Sequence, residues 1–292
     1  MEESPISYEV SFNKSLNDKK EPEYRKVSNE LYLVSSDTGS VLFEYHLSPE
    51  GQKTLDQARI HYMDQEYDSA IVHYRQILKS DPSYMLANTW IGDMYYMKQN
   101  YDSAKYYFNL AIQKNFIDYT AHWFLADTYN KLDEHDKALE QITTAHLLNR
   151  NHPEILAIMK QYRKLAGREW KDWNIAPKCS VYKKDNKICV EMTEDWTGYA
   201  CAEALWKFEP GFAERISGSQ YQDDKANFQK DAGCIVANLA LESMKDIAGI
   251  IEDGYFHEMV WYEMTGRKAP EALLLFPDEF LSRLTEYVNK YH

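Results

Sequence analysis

The sequence predicts a mainly α protein. Three helical hairpins stack into a superhelix closed by a capping helix, with a small N-terminal β element before them and an α+β, mostly helical module after them. Three observations predict this. First, the chain repeats itself: "YDSAIVHYRQILKSDP" begins at Tyr67, "YDSAKYYFNLAIQKNF" at Tyr101 and a looser "HDKALEQITTAHLLNR" at His135, each 34 residues after the one before. Second, glycine and proline number only 11 and 9, so long stretches lack helix breakers. Third, short stretches outside the repeat alternate apolar and polar side chains, the period of a half-buried strand.

Residues 1–50 carry that alternation in "ISYEVSF", "ELYLVSS" and "SVLFEYHL". The last two flank "SDTGS", a hairpin turn by composition, and "NKSLNDKKEPE" reads as a loop. The expectation is a small β element, partly flexible, leading into the repeats.

The repeat units are 51–84, 85–118 and 119–152. Ala70, Ala104 and Ala138 align, and a small residue recurs at Ala58, Gly92 and Ala126. Ile77, Ala111 and Ala145 come near the end of each unit. Tyr67, Tyr101 and His135 precede the central alanines, and large side chains (Tyr74, Phe108, Ile142) follow them. Two amphipathic helices and a short turn fit in that period. Small residues stand where two helix backbones approach, and large ones fill the space beside them. One hairpin cannot bury its apolar stripe alone, so units stack and share a core. With Pro82 at the end of the first unit, these residues resemble the tetratricopeptide repeat (TPR) family over about a third of the chain. The pattern departs from the family at Phe116 and Arg150, where the late proline is missing, at Gln57, and at Trp90 and Trp123, which are offset from the family's early tryptophan. The segment "HPEILAIMKQYRKLAG", with Pro153 near its start and Gly167 past its end, predicts a capping helix over 153–167.

The resemblance implies a groove lined by the first helix of each unit, with a peptide or another protein lying in it. Carried over position by position, the groove residues are Leu55, Arg59, Tyr62 and Met63, then Thr89, Asp93, Tyr96 and Met97, then Trp123, Asp127, Asn130 and Lys131. Tyrosine, tryptophan and methionine provide large, adaptable contact area, so an apolar or aromatic segment is expected there. Asp93 and Asp127 stand ready for a basic residue on it. Family members that bind the acidic tail of heat-shock chaperones clamp its carboxylates with cations. Here Arg59, Asp93 and Asp127 occupy the corresponding places, and two acids repel such a tail.

Residues 168–292 do not repeat. "REWKDWNIAPK" is a junction, and "CSVYKKDNKICVEM" reads as a hairpin turning at Asp185-Asn186. In that register Cys189 faces Tyr182 and Cys179 faces Met192, so the two cysteines project from opposite faces and do not bridge. Helices follow in "GYACAEALWKF", with Ala202, Leu205 and Trp206 on one face, and in "QDDKANFQKDAGCIVANLALESMK", with Phe228, Ala232, Ile235, Val236 and Leu239 inward. "IAGIIEDGYFHEMVWYEMTG" reads as one more helix, and "PDEFLSRLTEYVNKYH" as the last, starting at Pro277 with Phe280, Leu281, Leu284 and Val288 inward.

The net charge of −13 is spread along the chain, which disfavours nucleic acid and anionic membranes as partners. No apolar run reaches the length of a signal peptide or a membrane span, and the four cysteines form no CxxC pair, so a cytoplasmic location is expected.

The sequence offers no strong catalytic motif, and no cofactor or metal is expected. The best cluster is "YFHEMVWYE": His257 and Glu258 are neighbours, and Glu258 and Tyr262 share a helical face. A zinc site needs a second histidine four places after His257, where Trp261 stands. The favoured reading is a non-catalytic scaffold that binds protein or peptide in the groove. The alternative is an enzyme with its site around His257, Glu258 and Tyr262 and the repeats recruiting substrate.

Overall fold

The computed structural model describes residues 6–18, 20, 22–36, 39–173, 175–217, 224–239, 245–276 and 278–292. The repeat region forms seven successive helices: α1 (Pro49–Met63), α2 (Tyr67–Ser80), α3 (Leu86–Met97), α4 (Tyr101–Lys114), α5 (Tyr119–Lys131), α6 (His135–Leu148) and α7 (Pro153–Leu165). Side-chain caps explain the starts of α1, α4 and α5. The Ser48 hydroxyl accepts from the Gly51 N–H at 3.0 Å, with Pro49 in the first turn. Asn100 and Asp118 cap α4 and α5 in the same way, accepting from Ser103 and Ala121 at 3.1 Å. Each hairpin turns through one residue in the left-handed region: Gln65 (φ 61°), Gln99 (φ 60°) and Asp133 (φ 59°), again 34 residues apart.

The aligned residues occupy equivalent buried points. Ala58, Ala70, Ala104, Ala126 and Ala138 are all buried, as are Tyr74, Phe108 and Ile142 beside them. Gly92 has a specific reason to lack a side chain: a Cβ there would lie 2.6 Å from the Phe108 ring. The Phe108 ring takes the space that a side chain at 92 would need. Burying such a large apolar side chain contributes about 1.5–3 kcal/mol.

The chain divides into two compact units, and neither is contiguous. One combines residues 26–171 with 270–292, and the other combines 1–25 with 172–269. This departs from the expectation of a β element over 1–50 and a module over 168–292. Pairing decides it in both places. Strand β1 (Tyr8–Phe12) lies parallel to β5 (Lys187–Met192), which pairs antiparallel with β4 (Cys179–Lys184), so the sheet order is β1-β5-β4. At the other end, the helix Asp278–Tyr291 packs against α6, and Arg163 on α7 donates to Asn289 at 3.2 Å.

In the repeat unit, β2 (Leu31–Ser36) and β3 (Gly39–Glu44) form an antiparallel hairpin. The two residues at its tip, 37 and 38 in "SDTGS", lie outside the described residues. Leu31, Leu33 and Leu42 pack on the cluster that joins α5, α6 and α7. Tyr32 stacks on Tyr45 (centroids 4.8 Å apart), and Tyr45 meets Tyr84 edge-on at 5.4 Å.

The second unit shows where reading by hydropathy succeeds and where it fails. The β4–β5 hairpin turns at Asp185-Asn186, Tyr182 pairs with Cys189 and Cys179 with Met192, and the four cysteines are free. The helix Thr197–Phe208 buries Tyr199, Ala200, Ala204 and Trp206 and turns Leu205 outward, so the expected face is rotated. In Asp224–Leu239, Val236 is exposed while Asp231, Cys234, Ile235 and Asn238 are buried; the side chain of Leu239 lies outside the described residues. The polar members are satisfied: Lys268 Nζ reaches both Asp231 carboxylate oxygens at 2.9 Å, the Thr265 hydroxyl donates to one at 3.0 Å, and Asn238 donates to the Asp195 carbonyl at 2.8 Å. The helix expected through "IAGIIEDGYFHEMVWYEMTG" breaks at Gly254 (φ 80°) into Lys245–Glu252 and Phe256–Val260, followed by a π turn at Trp261–Thr265. The last helix buries Leu284, Tyr287 and Val288, leaving Phe280 and Leu281 only partly covered; Pro277 lies outside the described residues. No helix among the described residues is long and apolar enough to cross a membrane.

Candidate binding face of the repeat stack

The first helices of all three units border one pocket of about 570 Å³. From α1 come Arg59 and Tyr62, from α3 Leu86, Trp90, Asp93 and Met94, and from α5 Phe124. Tyr74 of α2 and Tyr84 close the floor, and Asn29 and Glu30 stand at the edge. Tyr74, Tyr84, Leu86 and Met94 are buried, whereas Tyr62 is 41% exposed. The pocket is aromatic on most sides and holds one acid within it.

That acid, Asp93, is half-buried, and the loss of water around it pushes its carboxyl up from 3.8 to about 6. It makes no hydrogen bond or ion pair with any described residue. Arg59 also borders the pocket; its guanidinium lies 3.9 Å from exposed Asp56 on the same helix, and its charge lowers the Tyr74 and Tyr84 phenols against the rise that burial causes. The tyrosines answer to Asp93 as well. Burial raises the Tyr62 phenol first, and the nearby Asp93 charge adds to it. Tyr96 is pushed to about 12 by burial, then by Asp127, Tyr101 and Asp93.

The residues expected to line the groove do not all do so. Arg59, Tyr62 and Asp93 meet in the pocket. Leu55 is only 3% exposed and belongs to the core with Ala58 and Tyr74. Thr89 is fully buried, and its hydroxyl donates to Asp118 at 2.5 Å. Residues four apart share a helix face, so what separates these positions is what covers each turn: core side chains close over Leu55, and Asp118 engages Thr89, while Arg59 and Asp93 one turn on reach the pocket. Met63, Met97 and Lys131 are exposed at the ends of α1, α3 and α5, and Tyr96, Trp123, Asp127 and Asn130 are partly covered. Asp127 is already engaged, since the Tyr162 hydroxyl on α7 donates to it at 2.6 Å. Asn130 lies 3.2 Å from His135.

Sequence reasoning missed Trp90, Phe124, Tyr74 and Tyr84 as pocket walls. It also missed a ladder on the stack. The residue after the second helix of each unit, Asp81, Asn115 or Asn149, bonds the chain that precedes the repeats. Asp81 accepts from the Ser48 N–H at 2.9 Å and the Ser48 hydroxyl at 3.0 Å. Asn115 accepts from the Leu33 N–H and donates to the Leu31 carbonyl, and Asn149 accepts from and donates to Val27. The 34-residue spacing of the three was a legible signal.

The cluster around His257 does not assemble. His257 is exposed and stacks on Phe228 with centroids 5.5 Å apart, whereas Glu258 and Tyr262 are buried. Neighbouring helical positions point about 100° apart, so the histidine faces out when the glutamate faces in.

No protein-family model matches the chain, and no curated protein matches it. Among solved structures, the chain is similar to the first TPR of Spaghetti (RPAP3) bound to the HSP90 peptide SRMEEVD, at 17% identity and TM-score 0.38, over 42% of this chain and 98% of that one. It is similar to the Sgt2 TPR domain from Aspergillus fumigatus at 16% identity and TM-score 0.39, over 44% and 92%. It is also similar to the Yersinia enterocolitica type III secretion chaperone SycD in complex with a peptide of the translocator YopD, at 16% identity and TM-score 0.38, over 41% and 97%. The helix order, the matched small residues and the recurring turns carry the conclusion: residues 49–165 fold as a TPR-like stack of three helical hairpins and a capping helix.

Proposed function

We propose that the chain is a non-catalytic protein- or peptide-binding scaffold, and that its binding face is the one built by α1, α3 and α5. The observation that carries this is the 570 Å³ aromatic pocket shared by three units. Its size suits a bound side chain with part of its backbone. The partly exposed Tyr62, with Met63 and Met97 nearby, adds adaptable apolar area at the rim. An acidic chaperone tail is disfavoured, because Asp93 and Asp127 stand where such a tail needs cations.

Selection of random peptides on the immobilised full chain tests the reading. A Tyr62→Ala/Trp90→Ala variant is expected to lose the selected peptides while keeping its helical content by circular dichroism. Equal recovery on the variant would remove this face from consideration.

A further inference from the structure

We infer that the pocket is a cation subsite: it takes the lysine or arginine side chain of a bound peptide between aromatic rings and against Asp93. The inference rests on the peptide-binding reading and specifies its chemistry. A half-buried carboxylate gains from a paired cation or a hydrogen bond. Asp93 has neither among the described residues, and it faces open volume. The walls are the right kind for the missing partner. Tyr62, Tyr74, Tyr84, Trp90 and Phe124 surround the volume, and ring faces attract a cation held over them. A lysine or arginine stem is itself apolar and packs against such rings while its head reaches the acid.

The other groups facing the site agree. Glu30, at the edge, adds a second negative charge, and the tyrosines are neutral near pH 7, with burial raising Tyr62, Tyr74, Tyr84 and Tyr96 further. Arg59 is the one cation on the lining; its charge acts on Tyr74 and Tyr84, whereas burial alone accounts for the Asp93 shift. Asp127 is no rival subsite, since Tyr162 occupies it. Asp93 is largely protonated below about 6, so a bound cation must expel that proton, and binding tightens as pH rises through this range.

A capped synthetic heptapeptide library, selected on the full chain at pH 7.5, tests this. Lysine or arginine should be enriched at one position about tenfold over neutral residues. Asp93→Asn should abolish that preference and keep the apolar ones, and at pH 5 the wild type should behave like the variant. Peptides selected without a cationic preference would overturn the inference and leave the peptide-binding reading standing. If no peptide is selected at all, that reading falls, and n-butylammonium titrated against the Trp90 indole NMR signal decides the subsite separately. A shift in the wild type that is absent in Asp93→Asn supports the cation site, and no shift in the wild type overturns it.

Discussion

Asn115 and Asn149 stand one repeat apart, and each grips the backbone of the preceding segment at two points. The Asn149 amide accepts from the Val27 N–H at 3.0 Å and donates to the Val27 carbonyl at 3.1 Å. Asn115 accepts from the Leu33 N–H at 3.4 Å and donates to the Leu31 carbonyl at 2.9 Å. An amide does both, whereas a carboxylate only accepts. Asp81 serves the first unit because both of its partners at Ser48 are donors. Replacing Asn149 by Ala should destabilise the repeat unit by about 1–3 kcal/mol, because both buried Val27 groups lose their partner, and Asp should cost part of that, since it leaves only the carbonyl unpaired. Chemical denaturation checks the size, and faster amide exchange at Val27 checks the place.

Gly92→Ala should destabilise by about 1–3 kcal/mol, because its methyl would meet the Phe108 ring. Combining it with Phe108→Leu should recover part of that loss. A thermal melt of both single variants and the double variant reads the coupling, and strict additivity would rule out the contact as the cause.

The turns at Gln65 and Gln99 hold a residue with a Cβ in left-handed backbone. Such a conformation costs about 1 kcal/mol for residues other than glycine, offset in part by the freedom glycine adds to the unfolded chain. Gln65→Gly and Gln99→Gly should therefore raise the melting temperature slightly, whereas Ala should not.

Asp93 makes a signed prediction about stability. Its folded carboxyl, near 6, is above the ordinary value of 3.8, so the folded chain holds that proton more tightly than the unfolded chain. Stability from this group is present at pH 4 and is lost as pH rises through about 6. Asp93→Asn should match the wild type near pH 4 and exceed it at pH 7.5 by on the order of 1–2 kcal/mol. Urea unfolding at the two pH values measures the difference.

In the other unit, Asp231 is fully buried and holds Lys268 and Thr265. Asp231→Ala should destabilise by about 1–3 kcal/mol, since the buried Thr265 hydroxyl and the largely buried Lys230, 3.8 Å away, lose their partner, while exposed Lys268 turns to water. Loss of the cooperative transition assigned to this unit is the expected readout.

The sequence by itself determined the repeat. Small side chains at a strict 34-residue interval place helix backbones close together, and that close packing recurs at Ala58, Gly92 and Ala126 wherever the chain is read. The β4–β5 register was legible for the same reason: local alternation and a two-residue turn suffice. Only the tertiary structure decided which groove positions stay open. Leu55 and Thr89 sit one turn before Arg59 and Asp93 on the same helix faces, yet core packing closes over Leu55 and Asp118 engages Thr89. Pairings across the chain, of β1 with β5, of the last helix with α6 and of Val27 with Asn149, lay beyond sequence periodicity. Periodicity reports which face of an element is buried, while the identity of the covering element depends on contacts more than a hundred residues apart.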